Sequence, residues 1–178
     1  DIDLLVAGND FDRAMAALTS HGAQRRVPQR RAGFDRRFDK SVGLTCADHV
    51  EIDVHRTLCV GAPGFRIPLA DLFAHPDAFD VGGITFAAPA LVHRALHAAY
   101  HAIVGTPAPQ LRTLRDLAHY LTRPDLPLET VVAEAERWRG TTILAGAVRA
   151  TLTILPVDAP NWQAWLAAFE PDPDAPAI

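Results

Sequence analysis

Four acids of this sequence fall into two short patterns that alternate with apolar residues. The first is Asp1-Ile2-Asp3-Leu4-Leu5-Val6, and the second is Val50-Glu51-Ile52-Asp53-Val54-His55-Arg56. In a β-strand, successive side chains point to opposite faces. A strand over the first pattern therefore projects Asp1 and Asp3 from one face and packs Ile2 and Leu4 from the other. In the second, Val50, Ile52 and Val54 take one face, and Glu51, Asp53 and His55 take the other. Carboxylates fixed on a rigid strand are the oxygen donors that Mg2+ and similar hard cations take. A third acid on a neighbouring strand completes a cradle for two ions roughly 3.5–4 Å apart, one activating an attacking oxygen and the other stabilising the leaving group. An isolated Asp is ordinary solvated surface. The clean alternation of the second pattern is what singles this set out.

Other residues carry chemistry less directly. His93, His97 and His101 recur every four residues and share one helix face. No Glu follows His93 or His97 as metalloprotease chemistry requires. At 1.5 Å of rise per residue the outer two are about 12 Å apart, too far to share one ion. Helix packing is the expectation for them. Lys40 is the only lysine of the chain. In a hairpin whose two-residue turn is centred on Ala47-Asp48, Lys40 pairs with His55 and Val42 with Asp53. Lys40 then stands near the acidic face, where it could meet a phosphate; a longer turn changes the register and the face. The same register sets Cys59 opposite Arg36, roughly 33 Å along the strand from Cys46, so no disulfide between the two cysteines is expected.

These side chains need elements to hold them. Residues 1–7 read as a strand, and Asn9 or Asp10 can cap a helix to Ser20 that turns Phe11, Ala14, Met15 and Leu18 to one side. Gly22 ends it. Gln24–Arg31, with four arginines and Pro28, reads as a loop. Phe34–Thr45 and His49–Leu58 read as two strands of an antiparallel hairpin. Residues 60–80 read as loop with a short helix near Leu69–Ala74, and Gly82–Ala87 as a last short strand. From there the pattern is helical, with helices near 88–104, 109–122, 128–138, 142–155 and 160–168. Trp138, Trp162 and Trp165 fall at packing positions. The Pro- and Asp-rich end reads as a frayed tail.

The fold class that follows is α+β: a small mixed sheet with flanking helices, then a C-terminal helical bundle. The composition shift near residue 88 suggests an α/β part over 1–88, a helical part over 89–170 and a tail over 171–178. The length of 178 residues suits this, and a chain of this size buries a core without staples. A net charge of −4 argues against a protein that coats nucleic acid. The cluster Arg25, Arg26, Arg30, Arg31, Arg36 and Arg37 is interrupted by Asp35 and Asp39 and reads as a solvated loop. Two cysteines do not form a disulfide framework, which favours a reducing compartment and a cytoplasmic location. The longest apolar run, Thr141–Val157, contains Arg149 and Pro156 and is too short to span a bilayer, so no membrane partner is expected.

In this order, the motifs resemble those of the nucleotidyltransferase (DNA polymerase β-like) superfamily, and more closely its uncharacterised bacterial branch. The resemblance runs from Asp1-Ile2-Asp3 through Val50–Arg56 to the helical histidines His97 and His101 and the segment Leu114-Arg115-Asp116-Leu117-Ala118. It implies a nucleotidyltransferase-like first domain and Mg2+-dependent transfer of a nucleoside monophosphate from an NTP to an acceptor. It implies that Asp1 and Asp3 bind both ions, and that Asp53 binds the catalytic ion and orients or deprotonates the acceptor hydroxyl. Glu51, on the same face, competes with Asp53 for that role. His55, His97, His101 and Lys40 would line the substrate site, with the helical part choosing the acceptor. The superfamily carries a helix and a Gly-Ser turn, Lys-Gly-like in this branch, ahead of the acidic pair to grip the phosphates. The sequence opens at Asp1, so a segment upstream is expected. A catalytically inactive member of the fold, serving as a binding or regulatory module, is the alternative.

Overall fold

The computed structural model describes residues 2–104 and 108–171. The chain divides into two compact units, Asp1–Phe65 and Arg66–Ile178, so the division lies ahead of the composition shift near residue 88.

In the first unit, β1 (Ile2–Leu5), β2 (Gln24–Arg25), β3 (Ser41–Thr45) and β4 (Glu51–His55) form one mixed sheet in the order β1-β4-β3-β2. β1 runs parallel to β4, and β3 runs antiparallel to both β4 and β2. The apolar alternation of the two inner strands decides which face is covered. Val42, Leu44, Ile52 and Val54 are buried together with Ala23 and Phe11, and Met15 and Leu18 pack against them. Phe11, Met15 and Leu18 lie one and two turns apart on α1 (Phe11–Ser20), so one stripe of that helix covers the sheet. Asp10 holds the N-cap position but its carboxylate does not cap; it pairs with Arg13 at 3.0 Å instead. Gly22, with φ of 91°, turns the chain out of the helix.

Two local expectations are corrected. The segment from Phe34 is not strand: residues Phe34–Phe38 form a short helix, α2, and the strand starts only at Ser41. Gly33 enters α2 from the left-handed region. Phe34 and Phe38, one turn apart, bring their ring centroids to 5.2 Å. Asp35 is buried in the first helical turn and held by Arg25 at 2.5 Å. The second correction is the register of the β3–β4 hairpin. The Cys46 N–H donates to the Val50 carbonyl, leaving a three-residue loop whose last member, His49, has φ of 61°. A three-residue loop ending in a left-handed residue is a standard hairpin closure. It moves every pair by one residue: Ser41 faces His55 and Gly43 faces Asp53.

The second unit holds α4 (Leu69–Ala74), the hairpin β5 (Asp77–Val81) and β6 (Ile84–Ala88), and the helices α5 (Leu91–Ile103), α6 (Leu111–Leu121), α7 (Leu128–Arg137), α8 (Thr141–Ile154) and α9 (Pro160–Ala168). A further short helix, α3 (Gly61–Arg66), spans the boundary. β5 was not expected; its signal is the Gly82-Gly83 pair, both at positive φ, which closes a two-residue hairpin turn. α5 packs on α6, α7 and α8, and α8 also meets α6, α7 and α9. α8 is apolar on most of its surface because it sits inside this bundle, with Ile143, Leu144, Ala147 and Val148 buried. Trp138 is wholly buried, its indole N–H donating to Glu134 at 2.9 Å. His93 stacks on that ring at 5.8 Å between centroids and meets the same carboxylate, which Arg137 also holds at 2.7 Å. His93 is thus a packing residue in a buried polar knot, bonded through Nε2 while its Nδ1 is buried without a hydrogen-bond partner. Among the described residues no helix is long and apolar enough to cross a membrane.

Leu44 is wholly buried in the sheet core. Leu44→Ala is expected to destabilise the protein by about 2–5 kcal/mol in urea unfolding, the range for a cavity in a packed core. Val27→Ala, at a site 69% exposed, should change stability little.

Candidate metal centre

The face of the first sheet opposite α1 carries the acids. β1 and β4 pair in parallel with Asp3 directly beside Asp53, so the two carboxylates leave adjacent strands at the same level and on the same side. His55, two residues further along β4, returns to that face, and its Nε2 lies 2.8 Å from Asp3 Oδ1. Asp3, Asp53 and His55 each offer a donor atom, and these atoms all lie within 4.8 Å of one another. The imidazole is mostly buried, whereas the Asp3 side chain is 61% exposed. The protected ring thus holds an otherwise mobile carboxylate in place.

The remaining acid of the face does not join this group. Glu51 lies one pleat away and is tied to Arg26 Nη1 at 2.8 Å. The other end of the same guanidinium bonds to Asp53. Arg26 follows β2 directly, and its backbone N–H donates to Gly43 at 3.0 Å. Its side chain then crosses β3 over Gly43, where any Cβ would overlap the guanidinium. Gly43 therefore opens the route by which a residue on one edge of the sheet reaches an acid two strands away. Arg26 was read only as part of a solvated arginine loop. The signal that could have found it is a lone glycine in mid-strand, a common mark of close approach. It was hidden because the two-residue turn set Val42, not Gly43, opposite Asp53.

Asp1 lies outside the described residues. Lys40 precedes β3, and its carbonyl accepts from the Arg56 N–H at 2.9 Å. The register shift puts Val42 and Leu44, which share the parity of Lys40, on the core face, and the Lys40 charge acts on the buried Cys59. His97 and His101 belong to α5 of the second unit, where their rings stack at 5.9 Å between centroids. Cys46 and Cys59 are free thiols.

The first sheet is thus a four-stranded mixed sheet packed under a helix on one face, with paired carboxylates on the other. Residues 1–155 match the sequence model of a family described as uncharacterised nucleotidyltransferase, and the chain belongs to that family. No curated protein and no solved structure matches the chain.

Burial pushes the Cys59 thiol up to about 11, an effect that the Lys40 cation partly offsets. A raised thiol pKa means that the folded state favours the neutral form, so this contribution to stability is lost as pH rises from the ordinary value of 9.0 through about 11. Alkylation of Cys59 by iodoacetamide, followed by peptide mass spectrometry, is expected to show a pH midpoint near 11, moving higher in Lys40→Ala; a midpoint near 9 would contradict this.

Proposed function

We propose that the protein transfers a nucleoside monophosphate from an NTP to an acceptor, using divalent cations held on the acidic face of the first sheet. The observation that carries this reading is the side-by-side placement of Asp3 and Asp53 on adjacent parallel strands, with His55 bonded to Asp3. The donor chemistry fits. Two carboxylates suit Mg2+, a hard cation that keeps several waters and takes few protein ligands. The imidazole suits it less, so His55 acts on the site by orienting Asp3. By sequence alternation Asp1 belongs on the face of Asp3 and would share in ion binding, as the family resemblance implies. Bound there, Mg2+ would neutralise triphosphate charge and raise the electrophilicity of the α-phosphorus.

The chain's own residues then have distinct tasks. Asp3, braced by the buried His55, keeps its carboxylate aimed at the site. Asp53 receives and orients the acceptor hydroxyl, whose oxygen attacks the α-phosphorus while the bond to the β-phosphate bridging oxygen breaks. The hydroxyl proton passes to Asp53, and pyrophosphate leaves. Phosphoryl-type transfer asks little covalent chemistry of the protein, so position and field carry the work. Glu51 is the less fitting base, because it stands one pleat from the Asp3–Asp53 pair and is bound to Arg26.

The test is calorimetric titration of the full chain with ATP in excess Mg2+, coupled to an assay of pyrophosphate release. Binding is expected, and Asp53→Asn should weaken it by about tenfold or more. Absence of binding, or binding unchanged by Asp53→Asn, would sink the reading. Binding with no pyrophosphate release across a panel of hydroxyl acceptors would favour the inactive module.

A further inference from the structure

Arg26 is the residue that the acidic patterns did not announce. Its guanidinium bonds to Glu51 and to Asp53, and the latter is one of the carboxylates a cation would need. A guanidinium and a divalent cation cannot share one carboxylate at close range without mutual repulsion. Whatever places a cation on Asp53 must therefore move the Arg26 fork.

Where the fork can go is constrained. The backbone of Arg26 is fixed by its hydrogen bond to Gly43, so only the side chain is free to turn. That side chain is 34% exposed and pivots beside the acidic face. The neighbouring arginines are engaged otherwise: Arg25 holds the buried Asp35, and Arg56 donates to the carbonyls of Asp39 and Arg37. A planar fork released beside a nucleotide triphosphate meets the group that its paired donors match best.

We propose that Arg26 is a nucleotide-binding residue with two stations. Without nucleotide it closes on Asp53 and Glu51. When metal and nucleotide arrive it leaves Asp53 and takes the phosphates. This rests on the nucleotide reading above and adds a phosphate-binding side chain to it. Gly43 is part of the device, since only a residue without Cβ lets the fork lie across β3 in the closed station.

Two variants separate the stations. Arg26→Ala removes both. Gly43→Ala keeps the arginine and its charge, but its methyl group displaces the guanidinium from the closed station; the position does not require a left-handed backbone, so the strand can accept alanine. Binding of Mn2+ alone is followed by electron paramagnetic resonance, and binding of ATP with Mg2+ by calorimetry. Both variants are expected to bind Mn2+ about threefold more tightly or better than the wild type, the range for loss of a half-exposed competing ion pair. Arg26→Ala should bind ATP about 10- to 100-fold more weakly, and Gly43→Ala much less so. Arg26→Ala with unchanged affinity for both ligands, in a wild type that binds both, would overturn the role of Arg26 and leave the nucleotide reading standing. So would tighter binding of both ligands by Arg26→Ala, which would make Arg26 a lock and nothing more. A wild type that binds neither Mn2+ nor ATP would overturn the nucleotide reading itself, and this proposal with it.

Discussion

Two like charges held side by side set the terms for the first unit. Parallel pairing of β1 with β4 puts Asp3 level with Asp53, so both side chains leave the same face of the sheet. Such a pair is unfavourable unless a cation or a hydrogen-bond partner stands near it. The fold answers with two groups from different directions. His55 comes from the next outward position of β4 and takes Asp3, while Arg26 comes from the far edge of the sheet and takes Asp53. The missing side chain of Gly43, the short β2 and the three-residue loop that sets the β3–β4 register all serve this arrangement. A cation bound at the pair would supply the same compensation more strongly, which is why a site closed in this way is still a candidate for metal.

The opposite face of the sheet supplies the rigidity. Val42, Leu44, Ile52 and Val54 pack under Phe11 and Leu18 of α1, so β4, which carries Asp53, is pinned from behind, while β1, whose Ile2 and Leu4 are exposed against the expectation that they pack, is held by its pairing with β4. Close packing resists displacement, and in a metal site a carboxylate out of place by an ångström binds poorly. Asp53 thus depends on the buried Ile52 and Val54 on either side of it in sequence. The second unit is held by its own core around α8 and by the knot of Glu134, His93, Arg137 and Trp138. There the same residue types, acid and histidine, serve packing. Chemistry-bearing residues need a shared open face to form a site, and His93 has none.

Much of this was readable from sequence. The six longer helices, α1 and α5 to α9, the inner strands and the facing of Glu51, Asp53 and His55 follow from periodicities of 3.6 and 2 that burial imposes. What escaped notice depended on contacts between distant residues or on single turn residues. The Phe34–Phe38 turn read as strand because aromatic residues favour both states, and the buried Arg25–Asp35 pair that helps fix the helix is a tertiary contact. The hairpin register turned on whether His49 adopts a left-handed backbone, which no periodicity reports. That single residue also hid the facing of Gly43 with Asp53, and with it the role of Arg26. The adjacency of β1 and β4 joins residues about fifty positions apart and is set by the whole sheet.

The most direct measurement is anomalous diffraction from crystals of the protein soaked in Mn2+, which shares the oxygen preference of Mg2+. An anomalous peak within about 2.0–2.3 Å of carboxylate oxygens from both Asp3 and Asp53, with the Arg26 guanidinium withdrawn from Asp53, is the predicted result. No peak at the pair, with Arg26 still closed on Asp53, would contradict it.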